Sequence, residues 1–401
     1  HFPSTLTADL DGAGTVAEMQ RRLVEFAKDL PAGAWVTGRG WVPSDFPGNM
    51  ASRRYLDAIL PGHPIVLTDR DGHQAVANTR ALTIAQVTRT TADPPNGRIE
   101  RDTEGEPTGL LKEAATGLLR GLVPEADADA VYAALQREMS KAAAFGITSV
   151  QNASGAGYMG NDSIALSRAV AEGTMKVRWR AAVPFVRNPT AAQLRRFAAL
   201  RDRRTSPYLR FGIAKGMLDG TVDARTAAMF EPYSGTADRG IPMWEQAELD
   251  RAVAAYDSAG IQVELHAIGD RAIRMALDAY ERAAQRNGTA NRRHRVEHIE
   301  VPTMADLPRF RRLGVIASTQ AMFASPDAAT LTNYAPLLGP DRASRSNSFR
   351  LFDDAGAVQA FGSDYPVFTM NVMRGLWSAV SRELPDGTPK GGWYPAGRIG
   401  V

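Results

Sequence analysis

The chain reads as an α/β protein whose larger part is a (β/α)8, TIM-like barrel. From Gly146 onward, short apolar runs alternate with amphipathic helical stretches, the pattern of a parallel sheet with helical crossovers. Seven such strand–helix units follow one another, one short of the eight that close a barrel. Glycines stand at helix-to-strand joints, at Gly146, Gly260, Gly314 and Gly356, where a left-handed C-cap is needed.

The elements follow in order. "TVAEMQRRLVEFAKDL" is an amphipathic helix with Thr15 as its N-cap. No strand precedes it, so residues 1–30 are read as the end of barrel strand one and helix one, with strand one upstream of His1. Residues 31–124 are rich in Gly, Pro and turn dipeptides and read as an inserted α/β subdomain over the barrel mouth. Within it, "HPIVLTDRDGHQAVANTRAL" is a strand-turn-helix, and "GRIERDTEGEPTGLLKEAA" is a hairpin leading to a helix. Residues 125–401 carry the rest of the barrel. Their strands are "GITSVQ", "VRWRAAVPF", "LRFGIAKGML", "IQVELHAI", "HRVEHIEV", "VIASTQAMF" and "AVQAFGSDYPV".

Composition narrows the function. Of the 401 residues 44% are hydrophobic and 23% charged, as in a soluble globular protein. No apolar run has membrane-spanning length and no signal-peptide pattern opens the chain, so the expected location is the cytoplasm. A net charge of +3 without basic runs argues against nucleic acid as a partner. The absence of cysteine excludes disulfides, thiolate metal sites and cysteine nucleophiles. A metal here is held by His, Asp, Glu or modified Lys.

Barrel active sites lie at the C-terminal ends of the strands. Lys215, His266, His298 and Asp364 each stand at or near such an end, on separate strands. Buried ionisable groups cost several kcal/mol unless paired or coordinated. Four of them at one mouth satisfy one another through a divalent metal, with zinc first among the candidates. Lys215 is conspicuous because only six of the 47 basic residues are lysine. His73 in "DGHQAV" is a candidate for orienting substrate or stabilising an oxyanion. Trp41 and Met322 are candidates to line the pocket, and Asp219 and Arg225 to form an ion pair that shapes its mouth. Glu113 opens a predicted helix, and its carboxylate is assigned to the helix dipole.

The order of these residues resembles the metal-dependent amidohydrolase superfamily. The stretches "DGHQAVANTRAL", "GEPTGLLKEA", "GITSVQNA", "KGMLDGTVDARTAAMFEPY", "LHAIGDRA", "HRVEHIE" and "FGSDYPV" are similar to its amidohydrolase family 3 branch, which includes N-substituted formamide deformylase. The resemblance implies a hydrolase of non-peptide carbon–nitrogen bonds acting on a small molecule, with one or two metal ions. It implies His266 and His298 as ligands of one metal, and Lys215 carrying a CO2-derived carboxylate that bridges two. It implies Asp364 as ligand and proton shuttle, and His1 as the second histidine of a strand-one His-x-His pair. The first histidine of that pair, strand one and the family's flanking β-sandwich are not in this sequence, which fits a segment of a longer protein. A homodimer is the expected assembly. Other chemistries remain open on the same frame: ester or lactone hydrolysis, isomerisation, or a truncated barrel without catalysis.

Overall fold

A computed structural model describes residues 7–119, 121–154, 160–203 and 206–400. Two sheets organise them. The first is built from β1 (Ala8–Asp9), β2 (Val36–Trp41), β3 (Ile65–Asp69), β4 (Gln74–Ala77), β5 (Gly97–Arg101) and β6 (Pro107–Glu113), in the order β1-β2-β3-β4-β6-β5. β1 to β3 run parallel, while β4, β6 and β5 pair antiparallel. Three helices belong to this part: α1 (Val16–Ala27), α2 (Arg54–Asp57) and α3 (Thr79–Ile84).

The Thr15 hydroxyl accepts from the Glu18 N–H and caps α1, as its position predicts. Met19, Leu23 and Ala27, spaced about one turn apart, pack with Leu10, Val36 and Leu67. The structure differs here from the expectation for residues 1–30. Ala8–Asp9 pairs with Gly38–Arg39, so this segment and α1 belong to the smaller sheet and not to the wall of the larger one. The amphipathic pattern shows that α1 buries one face; it does not say against which sheet.

The second sheet has seven parallel strands in chain order: β7 (Ser149–Asn152), β8 (Arg178–Pro184), β9 (Leu209–Met217), β10 (Gln262–Ala267), β11 (Arg295–His298), β12 (Ile316–Gln320) and β13 (Gln359–Gly362). The helices are α4 (Ala128–Ala144) before β7, α5 (Gly160–Ala171), α6 (Ala191–Asp202), α7 (Gln246–Ser258), α8 (Asp270–Asn287), α9 (Leu307–Leu313), α10 (Ala335–Arg345), α11 (Phe349–Asp354) and α12 (Val372–Ser381). The sequence reading has no counterpart for α10, whose Gly339 and Pro340 break the helical pattern.

The seven-stranded sheet curls. Arg295 on β11 donates to the Gln151 side chain on β7 at 2.7 Å, although three strands lie between them. Strands in a flat sheet are about 4.8 Å apart, which would set these two roughly 19 Å from each other. Alternation then separates two environments. Val263, Leu265 and Ala267 of β10 join the apolar layer beneath α7 and α8. Their neighbours Glu264 and His266 face the other way, as do Lys215 on β9, Glu297 on β11, and Ser318 and Gln320 on β12. The concave side is therefore polar, whereas the inside of a closed (β/α)8 barrel is usually filled with branched apolar side chains.

The smaller sheet docks on loops that follow strands of the larger one. Lys112, itself paired with Glu100 at 2.8 Å, donates to the Ala224 carbonyl at 3.1 Å. Arg98 meets Asp238 at 3.0 Å, and Arg70 meets Asp327 at 3.2 Å.

Gly269 joins β10 to α8. Its φ of −75° is ordinary, so a tight turn is not what requires glycine. A Cβ there would lie 2.1 Å from the Ala228 carbonyl oxygen, a backbone atom that cannot step aside. Gly269→Ala is expected to destabilise the protein by about 1–3 kcal/mol, the usual cost of forcing an extra carbon into a packed site. The midpoint of urea unfolding reads this directly, with the denaturant slope unchanged.

Candidate active site

The site begins with the ends of β9, β10 and β11. Asp219, two residues past β9, is fully buried and accepts three backbone N–H groups: Ile268 at 3.0 Å, Gly269 at 2.8 Å and Ala228 at 2.8 Å. These bonds fix where β10 ends and α8 begins. Burial raises the Asp219 pKa to about 7, against the pull of the three donors. Asp219 does not pair with Arg225. Its oxygens are committed to the main chain, and Arg225 sits in the loop with a left-handed φ of 56°.

His266 lies against this loop. Its Nε2 is 3.2 Å from the Gly220 carbonyl and 3.6 Å from Asp219. A carbonyl only accepts, which puts the ring proton on Nε2 and leaves the Nδ1 lone pair free. His298 is complementary: its Nδ1 meets the Gln320 side-chain oxygen at 2.9 Å, leaving Nε2 free. The two ring centroids are 4.4 Å apart. Burial holds both imidazoles well below their usual pKa, and the neighbouring cations push the same way. Both are neutral at physiological pH, so the contact of His266 with Asp219 is not an ion pair.

His298 reaches this place through its backbone. Side chains along a strand alternate, and Glu297 already faces the concave side. The left-handed φ of 74° at His298 breaks the alternation, so two consecutive side chains line the same cavity. Asp364, past the end of β13, also has a left-handed φ, 52°. Such conformations cost of order 1–3 kcal/mol each and concentrate at functional sites. The pKa of Asp364 is raised to about 6 by poor hydration, which outweighs the opposing pull of Lys215. Lys215 is buried, with its Nζ 3.8 Å from Glu264.

The smaller sheet adds His73. Its ring centroid is 5.0 Å from that of His266, and its Nδ1 lies 2.9 and 3.1 Å from the two oxygens of Glu113. Burial disfavours its charge, yet Glu113 and the more distant Asp69 and Asp71 raise its pKa to about 9. The Thr226 hydroxyl donates to Glu113 at 2.6 Å. Sequence reading assigned Glu113 to a helix start. The structure places it as the last residue of β6, with φ 50°.

A cavity of about 2290 Å³ is lined by His73, Glu113, Lys215, His266, His298 and Asp364, and by Met322. Trp41 is not on its wall. It is 1% exposed, donates to the Leu67 carbonyl at 2.9 Å and packs edge-on against Phe46 in the core of the smaller sheet. His1 lies outside the described residues. His294 is at the opposite end of β11, bound to the Val263 N–H and to Asp257, and stacked on Tyr280.

The donors suit a divalent cation in kind: two neutral imidazoles with uncommitted lone pairs, one carboxyl group and one buried amine. Among the described residues, no three His, Asp or Glu side chains are gathered closely enough to hold an ion by themselves.

Strand-end imidazoles, an amine and a carboxyl group around one cavity make the arrangement of an α/β enzyme. The chain belongs to the amidohydrolase family, whose profile matches residues 2–397. Protein LONG AFTER FAR-RED 3 of Arabidopsis thaliana is 32% identical over 399 residues, covering 97% of this chain and 67% of that protein. The N-substituted formamide deformylase of Arthrobacter pascens is 27% identical over 412 residues, covering 96% and 71%. An uncharacterised metal-dependent hydrolase from Pyrococcus horikoshii OT3 superposes with a TM-score of 0.66 at 25% identity, over 94% of this chain and 71% of that one.

The Asp219 clamp has a pH signature. Its folded pKa of about 7 lies above the 3.8 of an unhindered aspartate. Between those values the folded chain keeps a proton that the unfolded chain releases. The contribution to stability is therefore complete below pH 4 and fades as pH rises through 7. Asp219→Asn cannot titrate, so the stability of the unsubstituted protein relative to this variant is expected to fall from pH 5 to pH 8. Urea unfolding of both proteins at the two pH values measures it; an advantage that grows with pH would contradict the assignment.

Proposed function

We propose that the protein hydrolyses carbon–nitrogen bonds other than peptide bonds, in small amides or N-substituted formamides, with a divalent metal at the His266–His298 pair. The observation that carries this reading is the pair of neutral imidazoles whose free lone pairs border one cavity with Lys215 and Asp364. Family membership supports the hydrolytic class. His266 and His298 would hold the metal together with Asp364, Lys215 and His1, zinc first among the candidates. Lys215, once its amine has taken up CO2 and lost a proton, would offer a carboxylate to a second ion. When bound, the metal supplies Lewis acidity to the substrate carbonyl and to water.

The chain's own residues supply the rest. As a water molecule adds to the carbonyl carbon, Asp364 takes one of its protons and passes it to the leaving nitrogen. The carbon–nitrogen bond then breaks, giving a carboxylic acid and an amine. His73, cationic at neutral pH, donates from Nε2 to the oxygen that gains negative charge. Phe323, stacked beside the His298 ring, and Met322 on the same cavity furnish an apolar wall for the substituent on nitrogen.

We also take the larger sheet to be a (β/α)8 barrel whose first strand belongs between β13 and β7. Apolar surface on the open side supports this, with Phe361 and Leu376 44% and 49% exposed.

His266→Ala is expected to lose metal and activity together. Asp364→Ala is expected to lower kcat by about 10²–10⁴-fold. Elemental analysis per chain, beside a panel of formamides, hydantoins, esters and lactones, checks both. Full turnover by metal-free protein would sink the proposal, and a preference for esters would move it to another bond.

A further inference from the structure

The His73–Glu113 contact does more than the proposed chemistry requires of it. The two residues face each other across neighbouring strands of the smaller sheet, where the Glu113 N–H donates to the His73 carbonyl at 2.8 Å. Their side chains meet again at the tip, with both carboxylate oxygens in reach of Nδ1. The third contact comes from the loop after β9. The Thr226 oxygen accepts from the Thr221 N–H at 3.0 Å, and its own proton goes to Glu113. Space for the carboxylate exists because residue 220 is glycine. A Cβ there would lie 1.9 Å from Glu113 Oε1 and 2.1 Å from Thr226 Oγ1. That same Gly220 carries the carbonyl that orients His266. One glycine thus sits between the two histidines' anchors.

We propose that Glu113 is a positioning residue: it fixes the His73 ring with Nδ1–H inward and Nε2–H toward the cavity beside His266, and so sets where the substrate carbonyl is held. This rests on the hydrolase reading for its consequence in turnover, not for its geometry. A carboxylate fixes the direction of an imidazole because Nδ1–H is its only donor on that side. Loss of such a partner in comparable sites costs about 10–100-fold in activity. A contact that only glued the sheets would instead affect stability. Lys112 offers the comparison, since it bridges the same two parts through the Ala224 carbonyl and lies outside the machinery described above.

The test uses the full chain with ¹⁵N-labelled histidine. The clamped Nδ1 proton of His73 gives a slowly exchanging low-field resonance, identified by its loss in His73→Gln, and this resonance moves or disappears in Glu113→Gln. If the unsubstituted protein lacks it, the proposal is overturned whatever the activity. On a hydrolysed amide, Glu113→Gln lowers kcat about 10–100-fold with KM little changed. Lys112→Met lowers Tm and leaves kcat alone. If both variants lose kcat in step with Tm, Glu113 only holds the sheets together and the proposal fails. If no amide is hydrolysed while the resonance is present and depends on Glu113, the hydrolase reading falls and the positioning stands.

Discussion

A carboxylate out of reach of water needs hydrogen-bond donors, and Asp219 takes its donors from the main chain. The three N–H groups it accepts come from two segments, the loop after β9 and the junction of β10 with α8. The bonds therefore fix these segments relative to each other. Gly220, one residue on, is held where its carbonyl meets His266 and where the absence of a Cβ admits Glu113. The histidine pair, the dyad from the smaller sheet and the close approach of Gly269 to Ala228 all rest on that one buried acid. An apolar residue there would leave three N–H groups unpaired, a cost of roughly 1–3 kcal/mol for each.

The convergence of four strand-end residues was legible in the sequence. Lys215, His266, His298 and Asp364 stand out because an ionisable side chain at the end of an apolar run demands an explanation, and all four line one cavity. The glycines at the helix-to-strand joints were legible for a similar reason; Gly260 and Gly314 adopt φ of 69° and 64°, which only glycine takes without strain. What could not be read depends on contacts distant in sequence. Trp41 looks the same in a pocket as in a core, and its place is decided by Leu67 and Phe46. Arg225 and Asp219 have opposite charges and close numbers, but backbone donors reach the aspartate first. Glu113 was missed because its signal is a partner 40 residues earlier and a hydroxyl 113 residues later. The start of β4 and the end of β6, opposite ends of two antiparallel neighbours, sharing a His and a Glu would have been the clue.

The polar concave face follows from the same accounting. Glu297 and His298 both contact Gln320, and Arg295 contacts Glu297, Gln151 and Ser318. A side chain on one strand thus reaches partners on several others, and His298 stands at the end of a chain of hydrogen bonds running down the inside of the sheet. Such networks are stable only when nearly every member is satisfied. A change deep in this interior, far from the cavity mouth, consequently alters the direction of the His298 ring.

The cavity is shared between two bodies that each have a core of their own. Leu10, Leu23, Val36 and Leu67 pack within one, while Val263, Leu265, Leu277 and Phe310 pack within the other. Mostly polar contacts of loops join them. Proteins open first along such seams, in cooperative units smaller than the whole. On warming, the smaller sheet would lift away with His73 and Glu113 while the imidazole pair keeps its place in the larger one. Unfolding would then come in two steps, and cooling after the first would return the smaller sheet to its place without refolding the larger one.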